Sequence, residues 1–235
     1  MTRDNSQAAV TAEEDTLTHE TNSNVSRTRP ATQRKRSEIL EAAIDIFGNK
    51  GYANGTLADI AEQVDITHSG VLHHFGSKQN LLLEMLTYRD ETDVADLDER
   101  HIPDGPELFL HLVRTALANS RRAGVVQVYT VLSAEAVTDD HPARPFFDNR
   151  YATLRREVGD AFGVLCAQEG VTEPATVGAA SASILAVMDG LQLQWLLHPE
   201  EIDLAETSEF AIRAIVNAVL RPGPELSDYV RSGTD

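Results

Sequence analysis

The segment DITHSGVLHHFGSK, residues 65–78, holds the polar side chains of this chain whose types and spacing best suit a chemical role. Small hydrogen-bonding residues at the start of a short helix can contact base edges and phosphates in a DNA groove. Paired histidines can also bind a metal. His73 and His74 diverge by about 100° on a helix, however, and no cysteine or carboxylate is spaced to complete a site. We therefore predict no metal site and no cofactor here.

The residues around this segment predict two short helices joined by a tight turn. Thr56 suits an N-cap, and Asp59 three residues later completes a capping-box pattern, so a helix of about two turns starts there. Asp65 lies in the turn, where the chain needs a left-handed residue, and Thr67 is the next N-cap. This layout predicts a helix-turn-helix over about residues 57–76.

In a helix-turn-helix, the first turn of the second helix faces the base edges of the major groove. Small residues there let the helix sit deep, and its free backbone N–H groups suit a phosphate. The predicted DNA contacts are Thr56, Thr67, His68, Ser69, Gly70, His73 and Lys78. Two-helix patterns also occur in helical proteins that never touch DNA, so the pattern by itself leaves both interpretations open.

The basic residues are concentrated in one short stretch of an otherwise acidic chain. The chain has 37 acidic and 20 basic residues, a net charge of −17, which taken alone argues against nucleic-acid binding. Residues 25–88 are neutral, however, and five of their seven bases lie between Arg27 and Arg36. Residues 89–235 hold 25 acids and 12 bases. We predict a basic arm, Arg34 included, that contacts DNA beside the recognition site, or else only a solubilising flank.

Helical periodicity over most of the chain predicts an all-α fold. No repeat and no β-hairpin pattern interrupts it. Residues 1–31 are polar, without an apolar period, and are predicted to be a disordered arm. Residues 32–92 are predicted to form a three-helix helix-turn-helix DNA-binding domain. Residues 93–235 are predicted to form a larger helical ligand-binding and dimerisation domain.

The stretch RSEILEAAIDIFGNKGYANGTLADIAEQVDITHSGVLHHFGSKQNLLLEML resembles the N-terminal domain of the TetR/AcrR family of transcriptional regulators. The match covers roughly residues 33–88 without gaps. It rests on Ile39-Leu40, Ala43 with Phe47, Gly51-Tyr52, Thr56, Ile60-Ala61 and the closing HHFGSK. The resemblance implies a homodimer whose two recognition helices bind a palindromic operator in double-stranded DNA. It also implies a small-molecule inducer that binds the helical domain and changes the spacing of those helices.

Two positions depart from the family pattern. Val64-Asp65 stands where the family has Ala-Gly, in the turn between the two helices. Leu72 stands where the family has a tyrosine that contacts the DNA backbone. Leu72 is kept among the predicted DNA-contacting positions because it occupies the position of that tyrosine. Leucine has no hydroxyl, so it cannot make the tyrosine's hydrogen bond to a phosphate.

The second half of the chain resembles the family more loosely. The stretch SILAVMDGLQLQWLLHPE, residues 183–200, is similar to a dimerisation helix of family members. With the last helix it predicts a four-helix dimer interface. The predicted interface residues are Leu185, Leu191, Trp195, Phe210, Ile215 and Val219. For any one of them, packing inside its own chain is an equally good interpretation.

A ligand pocket between helices would be lined by aromatic and apolar side chains with a few polar groups. The predicted lining residues are Phe109, Leu112, Tyr129, Leu132, Phe147, Tyr151, Met188 and Gln192. Ordinary core packing is the main alternative for the apolar members. Gln192 lies on an apolar helix and needs a hydrogen-bond partner, either a ligand or the other subunit.

The remaining features narrow the function class. We find no nucleophile elbow, Walker loop or dinucleotide fingerprint, so the protein is predicted not to be an enzyme. The apolar span 177–197 is interrupted by Asp189, so no membrane span is predicted. With the single Cys166 and no leader pattern, this predicts a cytoplasmic location. The favoured function is a repressor released from its operator by a small molecule. The alternatives are a ligand-independent regulator, a helical enzyme or a dimerisation protein.

Overall fold

The computed structural model describes residues 17–95, 103, 105–171 and 174–223 of the chain. Throughout these residues the regular structure is α-helical. The helices are α1 (Leu17–Asn54), α2 (Leu57–Gln63), α3 (His68–Phe75), α4 (Lys78–Ala95), α5 (Glu107–Asn119), α6 (Ala123–Glu135), α7 (Arg144–Glu169), α8 (Pro174–Leu197) and α9 (Leu204–Leu220). Helices α1–α4 contain the helix-turn-helix and α5–α9 form the second helical unit. The predicted all-α fold is confirmed.

Helix α1 begins earlier than the composition predicts. Residues 17–31, predicted to belong to a disordered arm, form its first turns. The composition rule tests whether a segment can bury a core, and residues 30–34 are exposed. Extending a helix that is already packed needs no new nucleus, so an exposed extension can be helical without a core. Residues 1–16 of the predicted arm lie outside the described residues.

One apolar core holds the first four helices together. Its fully buried members include Ile39 and Phe47 from α1, Ile60 from α2, Val71 from α3 and Met85 from α4. These side chains recur at helical spacing in each segment, so each helix presents one apolar face to the same centre. The packing fixes the short helices α2 and α3, which are too short to be stable alone.

The same core continues into the second half of the chain. Helix α6 packs along the C-terminal half of α1, and Val128, Tyr129 and Leu132 of α6 join the core of the DNA-binding helices. Phe147 of α7 joins them too. The DNA-binding helices and the second half of the chain therefore pack against each other through α6.

Helices α5, α7, α8 and α9 enclose a second core. Phe109, Phe162, Ile184 and Ile212 are buried there, one from each helix. Within the described residues, one helix, Thr176–Leu197 of α8, has the length and hydropathy of a membrane span, and one third of that stretch is buried. Here it packs against α7 and α9, as a core helix does.

Candidate nucleic-acid interface and the helical domain that carries it

Helix α2 begins with the capping box that the sequence predicts. The Thr56 hydroxyl accepts the Asp59 N–H at 3.1 Å, and the Asp59 carboxylate accepts the Thr56 N–H at 2.9 Å. The Lys50 ammonium lies 2.9 Å from the same carboxylate. Hydrogen bonds from Lys50 and Thr56 hold the pKa of Asp59 at about 2. The start of α2 is thus fixed by local polar contacts.

The turn between α2 and α3 has the predicted conformation. Asp65 adopts φ 52°, in the left-handed region, although the family pattern has glycine there. Thr67 caps α3, because its hydroxyl accepts the Gly70 N–H at 3.1 Å. Ser77 caps the next helix by accepting the Asn80 N–H at 3.0 Å. The predicted Thr67 cap is therefore confirmed.

Helix α3 turns one polar side to solvent. Thr67, His68, Ser69 and His73 are exposed, while Val71 and Phe75 are buried in the core. We call these four exposed residues the reading face. The Thr67 and Ser69 hydroxyls lie 2.9 Å apart, at the very start of the helix. Gly70 and Leu72 are half-buried beside the reading face, and the predicted contact Thr56 is exposed at the start of α2.

Most basic side chains near the reading face are held by the chain itself. The Arg36 guanidinium binds the His74 carbonyl and Glu84, and it lies 4.3 Å from the centre of the Phe75 ring. Arg34 has 80% of its side chain exposed, with Glu38 at 3.5 Å. Arg34 is therefore better placed to reach a phosphate than Arg36.

Lys78 has a different environment from the one that the sequence predicts. Its ammonium donates to the Tyr52 carbonyl at 2.5 Å and lies 4.4 Å from the centre of the Tyr52 ring. Burial lowers the pKa of Lys78. The ammonium anchors the start of α4 to the end of α1, so a phosphate contact would require it to leave these partners.

The predicted pocket residues are divided between the two cores. Tyr129, Leu132 and Phe147 belong to the core shared with the DNA-binding helices, whereas Phe109, Leu112 and Met188 belong to the second core. Tyr151 packs against both cores. The prediction grouped these residues because all but Gln192 are aromatic or apolar. Successive turns of one helix contact different neighbours, so residues of similar type can belong to different cores.

A polar network lies between these two cores, and sequence reasoning missed most of it. Arg89 and Tyr129 are buried and the other members are half-buried; we call it the buried polar network. It consists of Arg89 and Asp90 of α4, Tyr129 of α6, Arg150 and Tyr151 of α7, and Asp189 of α8. Asp90 accepts from Arg89 at 3.0 Å and from Arg150 at 2.6 Å. The Tyr151 hydroxyl donates to Asp189 at 2.6 Å.

The electrostatics of the network follow from its burial. Desolvation raises the pKa of Asp189 and also that of Tyr151. The Arg89 guanidinium lies 4.4 Å from the centre of the Tyr129 ring. Gln192 lies one turn along α8 from Asp189 and is buried as well. A carboxylate inside the apolar α8 was the available sequence signal, since a buried charge requires partners.

The predicted dimer residues divide between two environments. Leu185, Trp195 and Val219 are buried within their own chain, where they pack into its core. Leu191 and Ile215 are half-buried, and Phe210 is 63% exposed. Helix α8 is apolar nearly all round, so its sequence does not distinguish the side that faces its own core.

An exposed apolar surface lies on the side of α8 that faces away from the core. It comprises Leu193 and Leu197 of α8, 48% and 66% exposed, and Phe210 of α9. Small exposed residues accompany them, Ala186 on α8 and Ala214 on α9. We call these five residues the α8–α9 face. Cys166, in contrast, is buried in the second core, and the described residues contain no cluster of metal-ligating side chains.

Comparison with known proteins assigns a family to both halves of the chain. Residues 39–85 match the model of bacterial regulatory proteins of the tetR family, and residues 107–221 match the C-terminal model of BetI-type transcriptional repressors. The chain is 27% identical over 189 residues to the HTH-type transcriptional regulator TtgR of Pseudomonas putida, covering 77% of this chain and 89% of that protein.

Solved structures share the fold. A TetR-family regulator from Agrobacterium tumefaciens superposes with a TM-score of 0.63 at 23% identity, covering 80% of this chain and 98% of that one. A regulator from Saccharomonospora viridis in complex with choline gives 0.60 at 21% identity, covering 78% and 96%. With its capped helix-turn-helix, its exposed reading face and both family matches, the chain belongs to the TetR family and is a DNA-binding transcriptional regulator.

Proposed function

We propose that this regulator is a homodimeric, cytoplasmic repressor that binds a palindromic operator and leaves it when a small molecule binds the helical domain. The observation that carries the proposal is the reading face: Thr67, His68 and Ser69 exposed at the start of a capped helix and His73 exposed in its last turn, while Val71 and Phe75 are buried in the core. Such a helix can enter the major groove without disturbing the fold.

The reading face supplies chemistry that suits operator recognition. The Thr67 and Ser69 hydroxyls both donate and accept, and the His68 imidazole is exposed beside them, so each can hydrogen-bond a base edge. The unpaired backbone N–H groups in the first turn of α3 suit a phosphate. Leu72 adds an apolar contact, which can meet a thymine methyl group instead of a phosphate.

A palindromic operator requires two copies of the reading face. We propose that two chains associate through the α8–α9 face. Leu193, Leu197 and Phe210 are large apolar residues left in solvent by the single chain. The small side chains of Ala186 and Ala214 would let the helices of the second chain approach α8 and α9 closely. A twofold axis through this face would build a four-helix interface. Half-sites one helical turn of DNA apart would require the two reading faces to lie about 34 Å apart.

The buried polar network is the region where we propose that ligand occupancy is sensed. It joins α4, which follows the recognition helix, to α6, α7 and α8. A small molecule that hydrogen-bonds Tyr151, Asp189 or Gln192 would compete with these internal contacts. The match to BetI-type repressors and the choline complex of the S. viridis regulator support a ligand-responsive repressor.

Selection of bound fragments from a random duplex pool, at two salt concentrations, tests the proposal. The purified full chain should enrich a palindrome whose half-sites lie about one helical turn apart. A variant with Thr67, His68 and Ser69 all changed to alanine should enrich nothing, while its circular dichroism stays that of the wild type. Equal enrichment by both proteins would refute the role of the reading face.

The ligand is sought separately, with the selected operator in hand. A panel of small molecules that includes choline is screened for a rise in the melting temperature of the protein and for release of the operator. A ligand that does both should release the operator less effectively from a Tyr151→Phe variant. A regulator that binds the operator and responds to no compound in the panel would favour ligand-independent regulation.

A further inference from the structure

Helix α6 is in direct contact with the backbone near the end of α1. The Gln127 amide on α6 donates to the Gly48 carbonyl at 3.1 Å and to the Asn49 side chain at 3.2 Å. A Cβ at Gly48 would lie 3.4 Å from Val128. Helix α6 of the helical domain therefore rests directly on the backbone of the DNA-binding domain, where a small displacement of α6 displaces α1 with it.

Glu135, the last residue of α6, contacts the last turn of α1. This turn follows Gly51, where the backbone of α1 departs from helical geometry. Its carboxylate accepts the Tyr52 N–H at 2.8 Å. Gly51, the residue before, adopts φ 71°, and a Cβ there would lie 2.1 Å from Glu135 Oε1. Glycine at this position both permits the backbone turn and leaves room for the carboxylate.

Lys78 binds the other side of the same residue. Its ammonium donates to the Tyr52 carbonyl and lies over the Tyr52 ring, and its charge is attracted to Glu135. The His141 ring meets the Tyr52 ring edge-on, with centroids 5.4 Å apart. Lys78 begins α4 only three residues after Phe75 ends the recognition helix. Tyr52 thus joins the end of α6 to the start of α4, the helix that directly follows the recognition helix.

We infer that Glu135 is a positioning residue for operator recognition: through Tyr52 and Lys78 it fixes the recognition helix relative to the helical domain. The inference rests on the proposed function, because it concerns how the dimer holds its two reading faces apart. A charged acceptor on a backbone N–H is among the stronger hydrogen bonds in proteins. Without it, the recognition helix would be free to shift, and the dimer would accept a wider range of half-site spacings.

The test compares operators that differ only in spacing. The full chain is titrated with its selected operator and with versions carrying one base pair more or fewer at the centre. The wild type should strongly prefer the selected spacing. Glu135→Ala should reduce that preference about tenfold, the effect of losing one hydrogen bond to a charged group. Glu135→Gln keeps an acceptor oxygen and should stay closer to the wild type, and Glu169→Ala, an exposed residue of α7, is the matched control.

Lys78→Met provides a second variant that needs no change at Glu135. It keeps the apolar stem over Tyr52 and removes the donor, so it should relax the spacing preference in the same direction. A lost phosphate contact would instead weaken binding equally at every spacing. Hydrogen exchange of the Tyr52 amide gives a readout without DNA and should be faster in Glu135→Ala than in Glu169→Ala.

The outcomes separate the inference from the function on which it rests. A wild-type protein that enriches no palindrome overturns the proposed function, and the positioning role falls with it. A wild-type palindrome with unchanged spacing preference in both Glu135→Ala and Lys78→Met overturns the positioning role alone. Reduced preference in both variants, with the Glu169→Ala control unaffected, supports it.

Discussion

At the scale of single residues, the DNA-binding domain depends on polar contacts made within a few positions of each other. Asp59 shows this most clearly. Its carboxylate accepts from the Thr56 N–H and the Thr56 hydroxyl, the latter at 2.7 Å, and pairs with the Lys50 ammonium. These donors favour the charged carboxylate, which is why the pKa of Asp59 lies at about 2 instead of 3.8.

Asp59→Asn should destabilise the protein in a pH-dependent way. Because the folded-state pKa lies below the unfolded value, the stabilisation by Asp59 is present above about pH 4 and is lost as the pH falls through about 2. Urea denaturation should therefore show a gap between wild type and variant at pH 7 that closes toward pH 2. Asp160→Asn, an exposed carboxylate on α7, is the control. A gap that is constant over this range would contradict the assignment.

Gly51→Ala should cost roughly 1–3 kcal/mol of folding free energy, since a side chain in the left-handed region is strained. The clash with Glu135 adds to this cost. Gly163→Ala is the matched comparison, because Gly163 lies inside α7 with nothing within 4 Å of a Cβ. There alanine should stabilise by roughly 0.5–1 kcal/mol. Denaturant titrations of both variants measure the two opposite signs, and a neutral Gly51→Ala would contradict the first.

At the scale of elements, α8 shows how one apolar helix serves two partners. Its inner side places Leu185 in the second core and Trp195 in a smaller cluster with Ala116, Val126 and Leu204. Its outer side exposes Leu193 and Leu197 to solvent. With Phe210 of α9 the outer side forms a continuous candidate interface. A helix that is hydrophobic all round is normally buried on all sides, and here a second chain would complete the burial.

Phe210→Glu should convert the dimer into a folded monomer. A charge in a desolvated apolar interface is costly, while the same residue in the isolated chain is 63% exposed and contributes little to its fold. Leu110→Glu on α5, where leucine is 61% exposed, should leave the dimer intact. Analytical ultracentrifugation distinguishes the two species. If Phe210→Glu remains dimeric, the α8–α9 face is not the interface.

At the scale of the whole molecule, charge is divided between the two ends of the chain. Residues 89–235 carry most of the acidic excess, whereas residues 25–88 are neutral with their bases concentrated before α1 enters the core. Lys35, Arg36 and Lys78 are engaged within the domain. Among the described bases of this segment, Arg34 has the most exposed side chain, at 80%.

Removing residues 1–31 should weaken operator binding and flatten its salt dependence. The deletion takes away Arg27 and Arg29, and each lost phosphate contact lowers the slope of log K against log salt by about 0.9. Fluorescence anisotropy at several salt concentrations measures the slope for the full and the shortened chain. An unchanged slope would show that the arm makes no phosphate contact.

The sequence by itself determined the helix-turn-helix. The structure confirms the predicted capping box of Thr56 and Asp59 and the predicted cap at Thr67. It also confirms the left-handed conformation of Asp65 in the turn. Capping and turn chemistry act between residues two to four positions apart, so the local sequence contains all the information that they need. The reading face follows from the same short-range rules, because the buried Val71 and Phe75 orient the remaining side of α3.

Only the tertiary structure decided the partners of the long helices. The apolar sequence of α8 does not show that Leu185 and Trp195 pack against different neighbours, Leu185 in the second core and Trp195 against residues of α5, α6 and α9. The buried polar network joins Asp90, Arg150 and Asp189 across as many as 99 positions of the chain, and Glu135 meets Tyr52 across 83. Such contacts depend on which faces of distant helices meet, and helical periodicity gives a face without naming its neighbour.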